Sequence, residues 1–304
     1  MRVIVSGATS MIGVALINKC INEKVEVIAL VRFGTSRRER LPQSKYLRIV
    51  QYDLEQDNVG LCDGITADVF YHFAWAYTSK DTRDNPILQE KNIRFSLQMA
   101  ELAKKCGCRL FVGAGSQAEY GVVDGPIDEL TLEKPQIAYG IAKLAAKQLL
   151  NKYCKINNIK LIWGRIFSVY GKYDNENTMI NYVVDCFISG KKAQLSSCEQ
   201  TWNYLNEKDA GVIFYKLGVS DVCEGTYCVA NTVSLPLKQY VEEIIKEYSE
   251  EVECDFQEGD QSTTIVNLNV QTKKLFETID YSPMVPFAEG IREIVEYRKG
   301  IKKE

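Results

Sequence analysis

Three residue types with one spacing could do chemistry in this chain: a tyrosine and a lysine four apart, Tyr139-Gly-Ile-Ala-Lys143, and an upstream serine, Ser116. Residues four apart on a helix share a face, so the ammonium can stand near the phenol. A free tyrosine titrates near ~10 and is a poor acid–base group at neutral pH. A neighbouring cation favours the phenolate and lowers that value, which suits proton exchange with a carbonyl or an alkoxide. Ser116 closes the run Phe111-Val-Gly-Ala-Gly-Ser116, and its hydroxyl can hold a substrate oxygen beside the phenol. A lone Tyr-xxx-Lys also describes many amphipathic helices, so its meaning depends on what precedes it.

What precedes it is a nucleotide loop. Val3-Ile-Val-Ser-Gly7-Ala-Thr9-Ser10-Met11-Ile12-Gly13 reads as strand, tight turn and helix start. Gly7 permits the turn and Gly13 lets helix and strand pack closely. The free N–H groups across Thr9, Ser10, Met11 and Ile12 can hold a pyrophosphate. Ser10 stands where such loops commonly carry a middle glycine; its Cβ could crowd a cofactor, and its hydroxyl could donate to phosphate. After the second strand the chain runs Val31-Arg32-Phe-Gly-Thr-Ser-Arg37-Arg38, with no acid until Glu39. An acid there would take the adenosine ribose hydroxyls, whereas guanidinium forks match a 2′-phosphate. The expected cofactor is therefore NADP(H), with NAD(H) as the alternative.

The elements that must position these residues alternate. Apolar runs at Arg2–Ser6, Val25–Val31, Leu47–Gln51, Asp68–Phe73, Arg109–Gly113 and Lys160–Phe167 suit parallel strands buried on both faces. Helices fall between them: Met11–Cys20, one opening at Asn85-Pro86 and stopping at Gly107, and the Tyr139 helix to about Cys154. This predicts an α/β fold, a doubly wound parallel sheet over residues 1–171 with a smaller C-terminal substrate lobe over 172–304. In the second half a helix is predicted through Tyr182–Ser189, a short strand at Ala193–Leu195, and a strand near 226–230 returning to the sheet. Beyond these come a helix from Leu237, an extended stretch at Thr263–Leu268 and a charged helix from Phe287.

Composition narrows the function classes. The chain has 304 residues, 25% charged, with a net charge of −3 and a pI near 5.6. It lacks the basic balance of a nucleic-acid binder or a polybasic membrane anchor. The strand starting at Met1 leaves no room for a signal peptide, and no apolar run spans a bilayer, so a cytoplasmic protein is expected. Ten cysteines, at 20, 62, 106, 108, 154, 186, 198, 223, 228 and 254, show no paired spacing, and His72 is the one histidine. Reduced thiols and no metal site are expected. His72, in the strand-like Asp68-Val-Phe-Tyr-His72, suits packing or a ligand wall better than general-base catalysis.

Taken together these residues resemble the extended short-chain dehydrogenase/reductases, the NAD(P)-dependent epimerase/dehydratase family. The resemblance is carried in order by Gly7 and Gly13, Asp53-Leu54, His72-Phe73-Ala74, Asn92, Ser116 with Tyr120-Gly121, Tyr139 with Lys143, Arg165 to Ser168, and Tyr170-Gly171. It covers about residues 1–210, with Phe287 to Ile291 fitting the last helix. Most members act on nucleotide-diphosphate sugars. The resemblance implies that Asp53 contacts the adenine and that residues 72–74 pass beneath the cofactor, with Leu54, Phe73, Ala74, Trp75 and Asn92 among its binding residues and the loop from Trp75 to Ser79 facing the substrate. Lys143 would hold the nicotinamide ribose, Tyr139 would exchange a proton with the sugar oxygen, and Ser116 would steady that oxygen. Thr78, Gln117, Ser168, Asn181 and Trp202 would meet the substrate.

Three departures bear on the reaction. Dehydratases of the family carry Asp-Glu directly after the catalytic Ser or Thr; here the pair is Gln117-Ala118, which argues against 4,6-dehydration. Ser168 replaces an Asn of many epimerases, and Trp202 lies where many members have a phosphate-gripping Arg. The expected function is an NAD(P)H-dependent reductase of a nucleotide-diphosphate keto-sugar, of the 4-keto-6-deoxy type, with Tyr139 as proton donor. A 4-epimerase that retains NAD is the alternative, and a cofactor-binding sensor without chemistry ranks below both. The 86–106 helix and the Tyr139 helix could pair two copies, so a homodimer is expected.

Overall fold

The computed structural model describes residues 1–55, 63–248, 254–257 and 266–301. Cys62 and the start of the predicted Thr263–Leu268 stretch lie outside the described residues. In chain order the first strands are β1 (Arg2–Ser6), β2 (Glu26–Val31), β3 (Leu47–Gln51), β4 (Val69–His72), β5 (Leu110–Ser116) and β6 (Lys160–Ile166). They continue with β7 (Ser168–Tyr170), β8 (Ala193–Leu195), β9 (Thr201–Trp202), β10 (Tyr204–Asn206), β11 (Gly225–Val229), β12 (Leu235–Pro236) and β13 (Cys254–Phe256). The helices are α1 (Met11–Asn22), α2 (Pro86–Lys105), α3 (Ala138–Ile156), α4 (Met179–Ile188), α5 (Glu207–Val219), α6 (Leu237–Tyr248), α7 (Lys273–Ile279) and α8 (Phe287–Ile301).

Among the described residues the main sheet has seven parallel strands in the order β11-β6-β5-β4-β1-β2-β3. Alternate residues of each strand feed opposite cores, which is why the strands are apolar at successive positions. Val3, Val5, Val27, Ala29, Val69 and Tyr71 pack with Leu16 of α1 and Phe214 of α5. Ile4, Ile28, Phe70 and Phe111 pack on the other face with Met99 of α2 and Leu150 of α3. The order reverses between β1 and β4, so the loops leaving their carboxyl ends diverge and open a crevice. A doubly wound Rossmann-type sheet is what the alternation of elements predicted.

A third core belongs to the C-terminal part, where α4, α6 and α8 bury Val183, Ile244 and Ile294. Its centre is aromatic: Tyr204 meets Tyr240 edge-on at 5.0 Å, and Tyr240 meets Phe287 at 4.9 Å.

Besides the short strands β7, β9, β10, β12 and β13 and helix α7, none of which was predicted, two elements differ from expectation. β5 runs on to Ser116 instead of ending at Gly113. Its glycines are strand-compatible because Trp163 of β6 lies over them; a Cβ added at Gly115 would sit 2.3 Å from the indole nitrogen. Helix α5 was not anticipated. Its Gly211 allows contact with the backbone of α1, where a Cβ would come within 2.6 Å of the Ala15 carbonyl carbon. Residues chosen for that close packing are poor helix formers, so propensity hid the helix. No helix among the described residues is long and apolar enough to cross a membrane.

Candidate active site

The phosphate loop is built for close approach. Gly7 has φ +71°, and a Cβ there would lie 2.6 Å from the Ala74 nitrogen. Only glycine satisfies both the left-handed turn and that contact. Ser10 caps α1 by accepting from Gly13 N at 3.1 Å. Its hydroxyl oxygen is thus spent on the helix, while its hydrogen remains available to donate. Thr9 lies in the turn, and Met11 and Ile12 form the first turn of α1. This cradle at a helix N-terminus, at the sheet's switch point, fits the pyrophosphate of a dinucleotide.

The loop after β4 forms the facing wall. Asn92 is buried, and its side-chain amide grips both backbone groups of Ala76: Oδ1 accepts from Ala76 N at 2.8 Å and Nδ2 donates to Ala76 O at 3.0 Å. It holds the backbone of the loop after β4. Gln89, also buried, accepts from the Trp75 indole at 3.0 Å and donates to Tyr77 O at 2.7 Å. His72 bridges Ser6 at 2.7 Å and Ser96 at 3.0 Å. Because Ser96 donates to Asn92 O at 2.8 Å, it accepts from His72 Nε2–H, leaving Nδ1 to accept from Ser6. Burial holds this imidazole neutral, down to about 3. It is a packed strand residue, as its context in the sequence suggested.

Ser116, Tyr139 and Lys143 come together. The Ser116 hydroxyl accepts from Ala118 N at 3.2 Å, and its proximity favours the ionised form of the Tyr139 phenol. Glu119, absent from the sequence-based candidates, fixes Ser116 from below by accepting from its backbone N–H at 2.8 Å. Its carboxylate also takes the Trp163 indole at 3.0 Å and Arg165 Nε at 2.7 Å. The capping-box spacing Ser-x-x-Glu was the signal that could have found it.

Two cations stand near the Tyr139 ring. Lys143 Nζ lies 5.8 Å from the Tyr139 ring centre, donates to Ala114 O at 2.7 Å and sits 3.7 Å from a Trp75 ring centre. Arg83 is closer, with its guanidinium carbon 4.5 Å from the Tyr139 ring centre. Burial lifts the phenol above its ordinary value, while nearby Ser116 and Arg83 pull it down. The lowered phenol expected from the Tyr-Lys pair alone is therefore outweighed by desolvation here. The same burial draws the Lys143 ammonium down to about 7.

The remaining candidates sit on the rims. Arg32 and Arg37 are exposed beyond β2, whereas Arg40 stacks on Tyr173 at 4.6 Å. Asp53 accepts from Glu55 N at 3.0 Å, and Leu54 packs against the α2/α3-side core. Phe73 meets Phe214 edge-on at 4.9 Å. Thr78 is exposed in the loop after β4, Gln117 opens the short helix after Ser116, and Ser168 starts β7. Asn181 is buried and donates to Asn175 O at 2.9 Å. Trp202 packs between the aromatic core and the cluster around Tyr120, with its indole N–H buried and without a partner among the described residues.

Residues 3–230 match the family model of the NAD dependent epimerase/dehydratase family. The chain belongs to that family. Among curated members it is 26% identical over 260 residues to the dTDP-6-deoxy-L-talose 4-dehydrogenase (NAD(+)) of Aggregatibacter actinomycetemcomitans, covering 82% of this chain and 91% of that one. It is 22% identical to the UDP-glucose 4-epimerase of Mycolicibacterium smegmatis, over 98% of both chains. A solved family fold, the UDP-N-acetylglucosamine 4-epimerase of Methanobrevibacter ruminantium M1, superposes with a TM-score of 0.87 at 20% identity, covering 99% of this chain and 98% of that one. The UDP-glucuronic acid 4-epimerase of Bacillus cereus, solved with UDP-glucuronic acid and NAD, gives 0.82 at 19% identity, covering 99% and 100%. These superpositions establish the epimerase/dehydratase fold.

Proposed function

We propose that this epimerase/dehydratase family member carries out oxidation–reduction at a ring carbon, C4 first, of a nucleotide-diphosphate sugar, working as a reductase of the keto-sugar. The observation that carries the reading is the grouping of Ser116, at the end of β5, with Tyr139 and Lys143 on one face of α3, beside the β4 loop that packs against the glycine cradle. A nicotinamide dinucleotide bound in that cradle supplies the hydride. The chain's own residues handle the proton. Tyr139 gives its phenolic proton to the nascent alkoxide, and Ser116 holds that oxygen in place. Glu119 keeps Ser116 oriented through the backbone. The desolvated phenol is a competent acid because burial favours its neutral form.

Reduction is favoured over elimination because Ala118, beside Ser116, carries no titratable group. Glu119 cannot replace it, being fully buried and committed to Arg165. Exposed Arg32 and Arg37 after β2 support NADPH as the reductant, with NADH as the alternative. The dehydrogenase relative supports chemistry at C4 in the same family. A 4-epimerase with retained NAD is the second reading, favoured by the 4-epimerase relatives.

The test is a screen of nucleotide-diphosphate 4-keto-sugars against NADPH and NADH, with product identification, alongside Tyr139→Phe. Cofactor-dependent consumption of a keto-sugar is expected. Loss of turnover by about 10²–10⁴-fold in Tyr139→Phe, with cofactor binding retained, is expected too. Stoichiometric NAD in the purified protein together with cofactor-free sugar interconversion would select the epimerase. Unchanged turnover in Tyr139→Phe would remove Tyr139 as the proton donor.

A further inference from the structure

Arg83 has no place in the candidate set read from the sequence, yet it touches the central residue of the site. Its guanidinium carbon is 4.5 Å from the centre of the Tyr139 ring, against 5.8 Å for Lys143 Nζ. The placement is enforced from both sides. Asp84 accepts a hydrogen bond from Ala138 N at 2.8 Å, tying the loop to the first turn of the Tyr139 helix. Arg83 N donates to Ser79 O at 2.9 Å, and the buried Gln89 side chain donates to Tyr77 O at 2.7 Å and Thr82 O at 3.3 Å. Arg83 Nε is buried with no hydrogen-bond partner among the described residues. A guanidinium spent on structure would have a carboxylate or a carbonyl there. This one lies over the ring of Tyr139.

We propose that Arg83 is the cation that tunes Tyr139 for proton transfer, with Lys143 left to hold its loop and the cofactor ribose. This rests on the reading of Tyr139 as the proton-transfer group. The groups facing Tyr139 are Ser116 and Glu119 from β5 and its following turn, Lys143 from its own helix, and Trp75 and Arg83 from the loop after β4. Glu119 disfavours the phenolate, and Ser116 and Arg83 favour it. Lys143 is a weak ally where a phenol titrates, because burial has drawn it down to about 7 and it is then largely neutral. A guanidinium keeps its charge throughout that range. Of the two cations, only Arg83 is both close and charged when it matters.

The experiment follows Tyr139 itself in the full chain without substrate. Tyrosine labelled with ¹³C at Cζ is titrated by NMR, and the Tyr139 signal is assigned by its loss in Tyr139→Phe. In Arg83→Gln the titration midpoint is expected to rise by about one unit, and Arg83→Lys to restore most of it. Lys143→Met is expected to move the midpoint less than Arg83→Gln does. Arg83→Met, which keeps an unbranched stem, takes the place of the glutamine variant if that one does not fold. Equal midpoints in wild type and the charge-removing variant overturn the proposal. So does a larger displacement in Lys143→Met. Either result is independent of the turnover loss in Tyr139→Phe, which tests the underlying reading.

Discussion

Arg165 and Lys143 are two buried cations that reach the same strand, and the fold treats them in opposite ways. Arg165 pairs across from Gly115 of β5; Lys143 donates to the carbonyl of Ala114, one residue earlier. Arg165 has two carboxylate partners, Glu119 at 2.7 Å and Glu133, and Glu133 in turn holds Lys147 at 2.6 Å. Burial opposes its charge, but Glu119 and the nearby Tyr120 keep the guanidinium above its ordinary value. Lys143 has a carbonyl and an indole ring, and burial pulls it down to about 7. The paired cation is scaffolding, fixed in one state. Lys143, with no carboxylate partner among the described residues, sits between two protonation states, the condition found at sites of proton transfer.

The comparison breaks first if the paired cation can be removed cheaply. Arg165→Met leaves Glu119 buried without its counter-charge, and a loss of about 3–5 kcal/mol is expected in urea unfolding. Adding Glu119→Gln to that variant is expected to recover part of the loss, since the uncompensated charge disappears. A single-variant loss below about 1 kcal/mol would mean that the network does not carry Ser116's platform.

Lys143 sharpens the same contrast from the opposite side. Its value is depressed in the folded chain, from 10.5 to about 7, so between those two pH values the unfolded chain holds a proton that the folded chain lacks. Stability from this group therefore rises with pH across that window, and the full penalty is present below about pH 7. Lys143→Met removes the penalty and also the bond to Ala114. A net gain of roughly 1–3 kcal/mol near pH 6, fading as pH approaches 10.5, is expected in thermal unfolding run across pH, with turnover lost. A variant less stable than wild type at pH 6 would show that the indole and carbonyl fully compensate the buried charge.

The same contrast separates what could be read in the chain from what could not. The sheet was legible because β1 to β6 are apolar at successive positions and are separated by helix-length segments. Ser116, Tyr139, Lys143 and the Gly7–Gly13 loop were legible because their chemistry depends on spacing within one element or on an ordered motif. Arg83, Gln89 and Glu119 were not, since their value lies in contacts across elements: Arg83 on the ring of Tyr139, Gln89 under the loop that carries Arg83, Glu119 between Ser116 and Arg165. Helix α5 was missed for a related reason. Gly211 and Gly218 weaken its helix signal, and each is there to let a neighbour in, the α1 backbone and the Tyr71 hydroxyl respectively.

The smallest effect tests whether burial, and not distance, separates these ion pairs. Arg2 and Glu26 at the start of β1 and β2 approach to 2.7 Å, the same separation as Arg165 and Glu119. Their side chains are 41% and 55% exposed, whereas Arg165 and Glu119 are fully buried. In water the Coulomb attraction is screened and the freed rotamers offset much of it, so Glu26→Gln should cost under about 1 kcal/mol in urea unfolding. That cost should shrink further as salt is raised from low to molar concentration, because exposed charges are screened over a few ångströms there. The Arg165→Met loss should barely respond to the same change in salt, since ions do not enter the buried network. If both losses fell in parallel with salt, the Glu119–Arg165 pair would have to be solvated in solution. Ser116 would then lose the rigid support that its proposed role as oxygen-holding donor requires.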